Sequence, residues 1–237
     1  VRPGVTTVDL STGMLAYSGC MTALMARERG KARGQRVNVS LLESGVTLLG
    51  FHAASYLVAG HVDQREGAGY STLAPYDAYR AKDGELMLGA PTQAMWLKTC
   101  AALGAPELAD DPRFKTNALR CDNREALRSK IESRLATLNV DEWIVILEDI
   151  GVATAPINTI DKVLNDPQVR ANNMVVDCPT PEGDMVPLIG LPFKLTVTPG
   201  NPGAAPPAKG QHNREVLGSM LGLGDAAIDA LIAAGAV

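Results

Sequence analysis

The stretch "PYDAYRAKDGELMLGA" constrains this chain more than any other. Apolar and polar residues alternate on both sides of Asp83-Gly84, and a period of two belongs to half-buried strands. Asp-Gly between two alternating runs predicts a hairpin, because tight hairpin turns need the positive φ that glycine adopts freely. Antiparallel sheet is therefore expected in the middle of the chain, and the remaining segments have to pack around it.

Upstream the period is helical. "LSTGMLAYSGCMTALMARER" spans 10–29 and carries Leu10, Met14, Leu15, Met21, Leu24 and Met25 at helical spacing. This predicts a helix ending at Gly30, with Gly13 and Gly19 as positions of close packing. "GQRVNVSL" alternates through Val37 and Val39 and predicts a short strand. Ser40 and Glu43 form an S-x-x-E capping box, which opens a second helix that the apolar run carries to Gly60. Residues 61–74 are polar and glycine-bearing and predict a loop. Beyond the hairpin, helices are expected over 92–103, 124–137 and 141–150, with Asn123 capping the second. "MVVDCPTPEGDMVPLIG" predicts another strand pair turning near Glu182-Gly183. The Pro/Gly-rich run 199–210 predicts an extended linker, and the tail predicts two short helices split at Gly222–Gly224.

Composition narrows the function classes. The 237 residues are 46% hydrophobic, enough for one large domain or two small ones. The net charge is −4 with both signs interspersed, which argues against nucleic acid and anionic membranes as partners. Glu43, Ser44 and His52 interrupt the apolar stretch at 41–60, so it predicts a buried helix, with His52 in the core, and not a membrane span. Cys20, Cys100, Cys121 and Cys178 are scattered, which fits a reducing compartment better than a disulfide frame or zinc site. The three histidines lack metal-ligand spacing, so no metal is expected. Trp96 and Trp143 lie in helical segments and read as packing residues. The sequence opens at Val1 in mid-element with no signal-peptide pattern, and reads as a piece of a longer protein.

Two places invite chemistry. Asp9 stands where small residues give way to the first helical run. It fits a helix N-cap, and the same position suits a nucleophile, because the positive end of the helix dipole favours the carboxylate anion. A carboxylate can attack an activated carbonyl and hold the acyl group as a mixed anhydride, and Thr6, Thr7, Ser11, Thr12 and Gly13 leave room for a substrate. Gly67 and Gly69 flank Ala68 in the 61–74 loop. They read as a connector or as a mobile loop over a substrate; the G-x-G-x-x-G fingerprint is incomplete and follows no strand. Arg2, Arg65 and Arg80 could meet a substrate carboxylate. No G-x-S-x-G occurs, so a hydrolase nucleophile elbow has no support.

Several stretches together resemble the class III CoA-transferases, the family of carnitine CoA-transferase, formyl-CoA transferase and α-methylacyl-CoA racemase. They are "VRPGVTTVDLSTGMLAYSGCMTALMARERGKARGQRVNVSLLES", "APYDAYRAKDGELMLGA", "DDPRFKTNALRCDNREAL", "GVATAPINTIDKVLNDPQV", "GLPFKLT" and "GQHNREVLGSMLGL", in family order over almost the whole chain. The "VRPGV…DLSTG" wording and the "TNALRCDNR" segment look most like the branch that moves CoA from succinyl-CoA to dicarboxylates such as glutarate.

The resemblance implies an α/β fold: part of a Rossmann-like large domain plus a smaller α+β domain, in a homodimer whose subunits interlock. It assigns 1–60 to the large domain, 61–74 to a loop and 75–195 to the small domain. Residues 196–211 become a linker, and 212–237 return to the large domain. It makes Asp9 the catalytic aspartate and Gly67 and Gly69 substrate-binding candidates, with "REGAGYS" in place of the family's tetraglycine loop. It implies acyl-CoA and carboxylic acid substrates, no tightly bound cofactor beyond the coenzyme A thioester itself, and a cytoplasmic or mitochondrial-matrix location. The family's N-terminal half, which carries most CoA-binding residues, is not matched, so the chain alone is not expected to bind CoA in the usual way. The alternatives are a racemase using the same aspartate as a base, or an inactive dimerising module.

Overall fold

The first helix, α1 (Thr7–Glu28), forms where the apolar spacing predicts it and begins three residues earlier. The structure, a computed structural model, describes residues 4–65, 67–180, 183–201, 203 and 205–237. A Cβ on Gly19 would lie 2.8 Å from Val37 Cγ1, so this glycine does admit a close neighbour. Gly13 meets nothing within 4 Å, contrary to the expected packing role. Val37 and Val39 lie in a stretch with neither helix nor strand that pairs with no described strand, so the short strand expected there is absent. Period-two alternation supplies a face, but a strand also needs a hydrogen-bonding neighbour.

The capping box forms: Ser40 Oγ accepts from the Glu43 N–H at 3.2 Å and donates to Glu43 Oε2 at 2.8 Å. The helix it opens is not the single rod expected to Gly60. It divides into α2 (Leu41–Leu48) and α3 (Phe51–Ala59), bent by 79°. Gly50 sits at the break with φ 54° and ψ −124°, a conformation that a Cβ makes costly. No described helix alone is long and apolar enough to cross a membrane.

The hairpin forms where predicted, although Gly84 does not take the positive φ expected of it and the turn closes with the Ala81 N–H on the Gly84 carbonyl at 2.8 Å. β1 (Tyr76–Arg80) and β2 (Glu85–Gly89) pair antiparallel from Tyr76↔Gly89 to Arg80↔Glu85. Asp77, Tyr79, Leu86 and Leu88 are buried. Five helices follow: α4 (Gln93–Ala102), α5 (Glu107–Asp110), α6 (Asn117–Asp122), α7 (Arg124–Leu135) and α8 (Val140–Asp149). Thr92 caps α4 through Met95 N–H, Thr116 caps α6 through Leu119 N–H, and Glu142 reaches back to Asn139 N–H at 2.9 Å. Asn123 precedes α7 but makes no cap bond, because its amide donates to the Leu119 carbonyl at 2.9 Å. β3 (Ala153–Pro156) then returns to β2 in antiparallel register, Gly89↔Ala153 to Leu86↔Pro156, and completes a sheet of order β1-β2-β3.

The core lies between this sheet and its helices. Leu86, Leu88, Trp96, Phe114, Leu127, Ile131, Leu135 and Leu147 are all fully enclosed. Trp143 is also buried, with its indole N–H donating to the Leu135 carbonyl at 2.8 Å.

The chain divides into two units, 1–156 and 157–237. This packing boundary coincides with neither 61–74 nor 196–211. The second unit contains α9 (Ile160–Asn165), α10 (Pro167–Ala171), β4 (Val175–Pro179) and β5 (Met185–Ile189), followed by α11 (Asn213–Leu221) and α12 (Asp225–Ala233). The predicted strand pair is β4–β5, in register Val175↔Ile189. Gly183 lies in its turn, and Glu182 is outside the described residues. The described residues of 199–210 hold neither helix nor strand, and the tail is the expected helix pair with Gly222 ending α11.

Candidate active site

Asp9 is the third residue of α1, and Thr6 holds the cap position without a side-chain cap bond. The N-cap role considered for Asp9 is therefore not realised. Its carboxylate is exposed, and among the described residues it makes no hydrogen bond or ion pair. Leu10 N–H to the Thr6 carbonyl, at 3.1 Å, opens the bonding of the helix. The N–H groups of Val8 and Asp9 precede it, in the turn where helix donors have no intrahelical partner. A carboxylate beside such donors can become an acylated nucleophile whose developing oxyanion has nearby N–H groups. Ser11 and Thr12 bond back to the carbonyls of Thr7 and Val8, each at 2.7 Å, so their hydroxyl protons are engaged within the helix.

Gly67 lies in a turn at φ 67°, and half-buried Gly69 leads directly into Tyr70. The Tyr70 ring lies 5.1 Å from Phe51 on α3 and 5.6 Å from Tyr76 on β1. Upstream, Asp63 takes His52 Nδ1 at 2.7 Å and His61 Nε2 at 3.2 Å. His52 is thus an exposed partner of Asp63 and not the core histidine expected from its apolar surroundings. No described hydrogen bond, ion pair or cleft joins Asp9 to the glycine pair.

Beside that loop is a cleft of about 350 Å³ lined by Arg65, Ser71, Asp77, Arg124, Glu125 and Arg128. Of the three arginines singled out in the sequence, Arg65 reaches this cleft, Arg80 is an exposed residue at the end of β1, and Arg2 lies outside the described residues. Asp77 is buried and answered by Arg128, whose other amino group donates to the Ala78 carbonyl at 2.7 Å. Arg128 also sits over the Tyr79 ring, 5.0 Å from its centroid.

Three residues went unnoticed in the sequence: Asn117, Arg120 and Arg124. Arg120 is completely buried with no carboxylate partner. It donates to the carbonyls of Ala74 (2.6 Å) and Phe114 (3.0 Å) and to Gln93 Oε1 (3.0 Å), and lies over Trp96. Burial away from water lowers its pKa from the usual arginine value. The signal was available as the i, i+3, i+7 spacing within "TNALRCDNR", which puts polar residues on one side of a helical stretch.

The sequence profile of CoA-transferase family III matches residues 1–213. The chain belongs to this family. It is 32% identical over all 237 residues to the succinyl-CoA:glutarate CoA-transferases of Mus musculus and Homo sapiens, covering 54% of each. It is 28% identical over 220 residues to the succinate–glutarate CoA-transferase of Agrobacterium fabrum, covering 55% of it. The crystal structure of a CAIB/BAIF family protein from Brucella suis superposes with a TM-score of 0.78 at 29% identity, over 92% of this chain and 56% of that one. The chain spans about half the length of the relatives it matches. The mixed helix-and-sheet architecture is the class III CoA-transferase fold expected from the sequence.

Proposed function

We propose that the protein takes part in moving CoA from an acyl-CoA donor, in the first place succinyl-CoA, to a dicarboxylic acid, with Asp9 as the nucleophile. Asp9 carries the reading: an exposed carboxylate in the first turn of a 22-residue helix, beside N–H groups outside the helical ladder. The names of the relatives support the substrate class.

The Asp9 carboxylate attacks the donor thioester carbonyl, the C–S bond breaks, and an aspartyl–acyl anhydride forms with release of CoA thiolate. The thiolate attacks the aspartyl carbonyl, expels the donor acid and leaves an aspartyl-CoA thioester. The acceptor carboxylate displaces the thiolate to form a second anhydride. The thiolate then attacks the acceptor's carbonyl and frees Asp9. Each step exchanges one activated acyl bond for another, so the cycle needs no ATP.

The exposed apolar side chains of α1 to α3 support assigning residues 1–60 to a larger domain completed by further chain and a partner subunit, to which 212–237 return. We place the enzyme in the cytoplasm or mitochondrial matrix.

The test uses the intact protein with succinyl-CoA, a panel of dicarboxylates and hydroxylamine. A hydroxamate on the Asp9 peptide by mass spectrometry, and a loss of turnover of about 10³-fold or more in Asp9→Asn, are the expected results. Full turnover in Asp9→Asn would end the proposal. Exchange of an α-proton without CoA transfer would favour the racemase reading.

A further inference from the structure

Residues 70–74 follow the glycine pair and lead into β1. The main-chain carbonyl of every one of them accepts a hydrogen bond from one of three side chains. Arg124 Nη2 converges on Tyr70 (2.7 Å), Ser71 (3.1 Å) and Leu73 (3.2 Å). Asn117 Nδ2 donates to Thr72 at 2.7 Å, while its Oδ1 accepts from the Ala74 N–H at 3.0 Å. Arg120 Nε donates to the Ala74 carbonyl at 2.6 Å. Spaced i, i+3 and i+7 across α6 and the start of α7, the three form one row.

A surface connection ordinarily leaves its carbonyls to water. Here two guanidinium groups and an amide replace that water, and Arg120 is buried without a countercharge to do so. Desolvating a cation this way is costly. The arrangement is over-determined for a plain connector and suits a segment whose path has to be fixed. The segment ends the glycine pair at Tyr70 and puts Ser71 into the cleft with Arg65 and Arg124. Arg128 is committed to Asp77 and Arg124 to the carbonyls of the segment, which leaves Arg65, with Glu125 also in the lining, as the cation of the cleft that has no described partner. A carboxylate is the ligand that a guanidinium fork such as that of Arg65 recognises.

Resting on the transferase reading, we infer that Asn117, Arg120 and Arg124 are positioning residues: they hold the backbone of 70–74 so that the Arg65–Ser71 cleft receives the carboxylate of the acceptor acid. Arg124 acts through the segment it holds, and Arg65 is the group that meets the acid.

The experiment compares Arg124→Ala, Arg124→Lys and Asn117→Ala in the intact protein. Arg124→Ala is expected to raise the acceptor KM by about 10- to 100-fold. Donor KM and Tm should stay near wild type, and amide hydrogen exchange should rise at 67–74. Added guanidinium should restore part of the acceptor KM in Arg124→Ala. Arg124→Lys, which keeps one point donor, should fall between. Asn117→Ala, which frees the Thr72 carbonyl and the Ala74 N–H and leaves both guanidinium groups of the row, should show the same pattern more weakly. Unchanged acceptor KM in both alanine variants would overturn the inference. Equal losses for donor and acceptor together with a lowered Tm would also overturn it, because that is the signature of a purely structural row. A wild-type protein that transfers no CoA would instead remove the transferase reading, and this inference with it.

Discussion

Two regions of the first unit carry similar apolar periodicity and reach opposite ends. Between residues 74 and 152 the apolar positions close on one another: Leu86, Leu88, Trp96, Ile131 and Leu147 are all fully buried. In α1 no residue is buried, and Met14, Tyr17, Leu57 and Val58 stand in the open on α1 and α3. Periodicity determines which side chains share a face; it does not determine what covers that face. The sheet supplies the cover in one region. In the other, most of the large apolar side chains of α1 to α3 stay exposed, and exposed apolar surface marks a surface made to meet another.

The sharpest way to break this comparison is to truncate one leucine in each region. Leu86→Ala should cost about 2–5 kcal/mol in chemical denaturation, because it removes buried methyls and leaves a cavity. Gly50→Ala should cost about 1–3 kcal/mol by the same measurement, since a Cβ is forced into the conformation that bends α2 against α3. A smaller effect comes from Cys100. Burial pushes its thiol up to about 12 from 9.0. The thiol stays protonated in the fold and ionises on unfolding, so its contribution is full below pH 9 and is lost as pH rises from 9 toward 12. Cys100→Ala should therefore lose less stability than wild type between pH 8 and 11. In the same protein a thiol reagent should modify exposed Cys20 on α1 well before Cys100. Leu57→Ala, at a residue 80% exposed, should change stability of this chain by no more than about 0.5 kcal/mol. A cost several times larger in the intact protein would show that this face is covered there.

The sequence was legible where one local rule decided the outcome. The alternation on both sides of Asp83-Gly84 announced the hairpin, Ser40 and Glu43 announced the start of α2, and Gly222 announced the end of α11. It misled where the outcome depended on a distant partner. Val37 and Val39 alternate like a strand but find no described neighbour, and His52 looked internal because its neighbours in the chain are apolar. The break at Gly50 was hidden inside an apolar run that hydropathy alone cannot divide. For the candidate site, Asp9 could be singled out by type and position, but its third-residue placement depends on how α1 begins. The 117–120–124 row was in plain view as spacing. Its meaning lay in the carbonyls of 70–74, more than forty positions away along the chain.

Gly89 and Ala153 face one another across two strands, although α4 to α8 come between them in the chain. Partners in such a ladder have Cα atoms only about 5 Å apart. The helical excursion therefore leaves the sheet and rejoins it at one place, like a loop of cable clipped at its base. A cut in any of its internal turns would leave both halves anchored to the same strand. Changes in its turn lengths can be absorbed without moving the register that sets β1, and with it the end of the glycine segment.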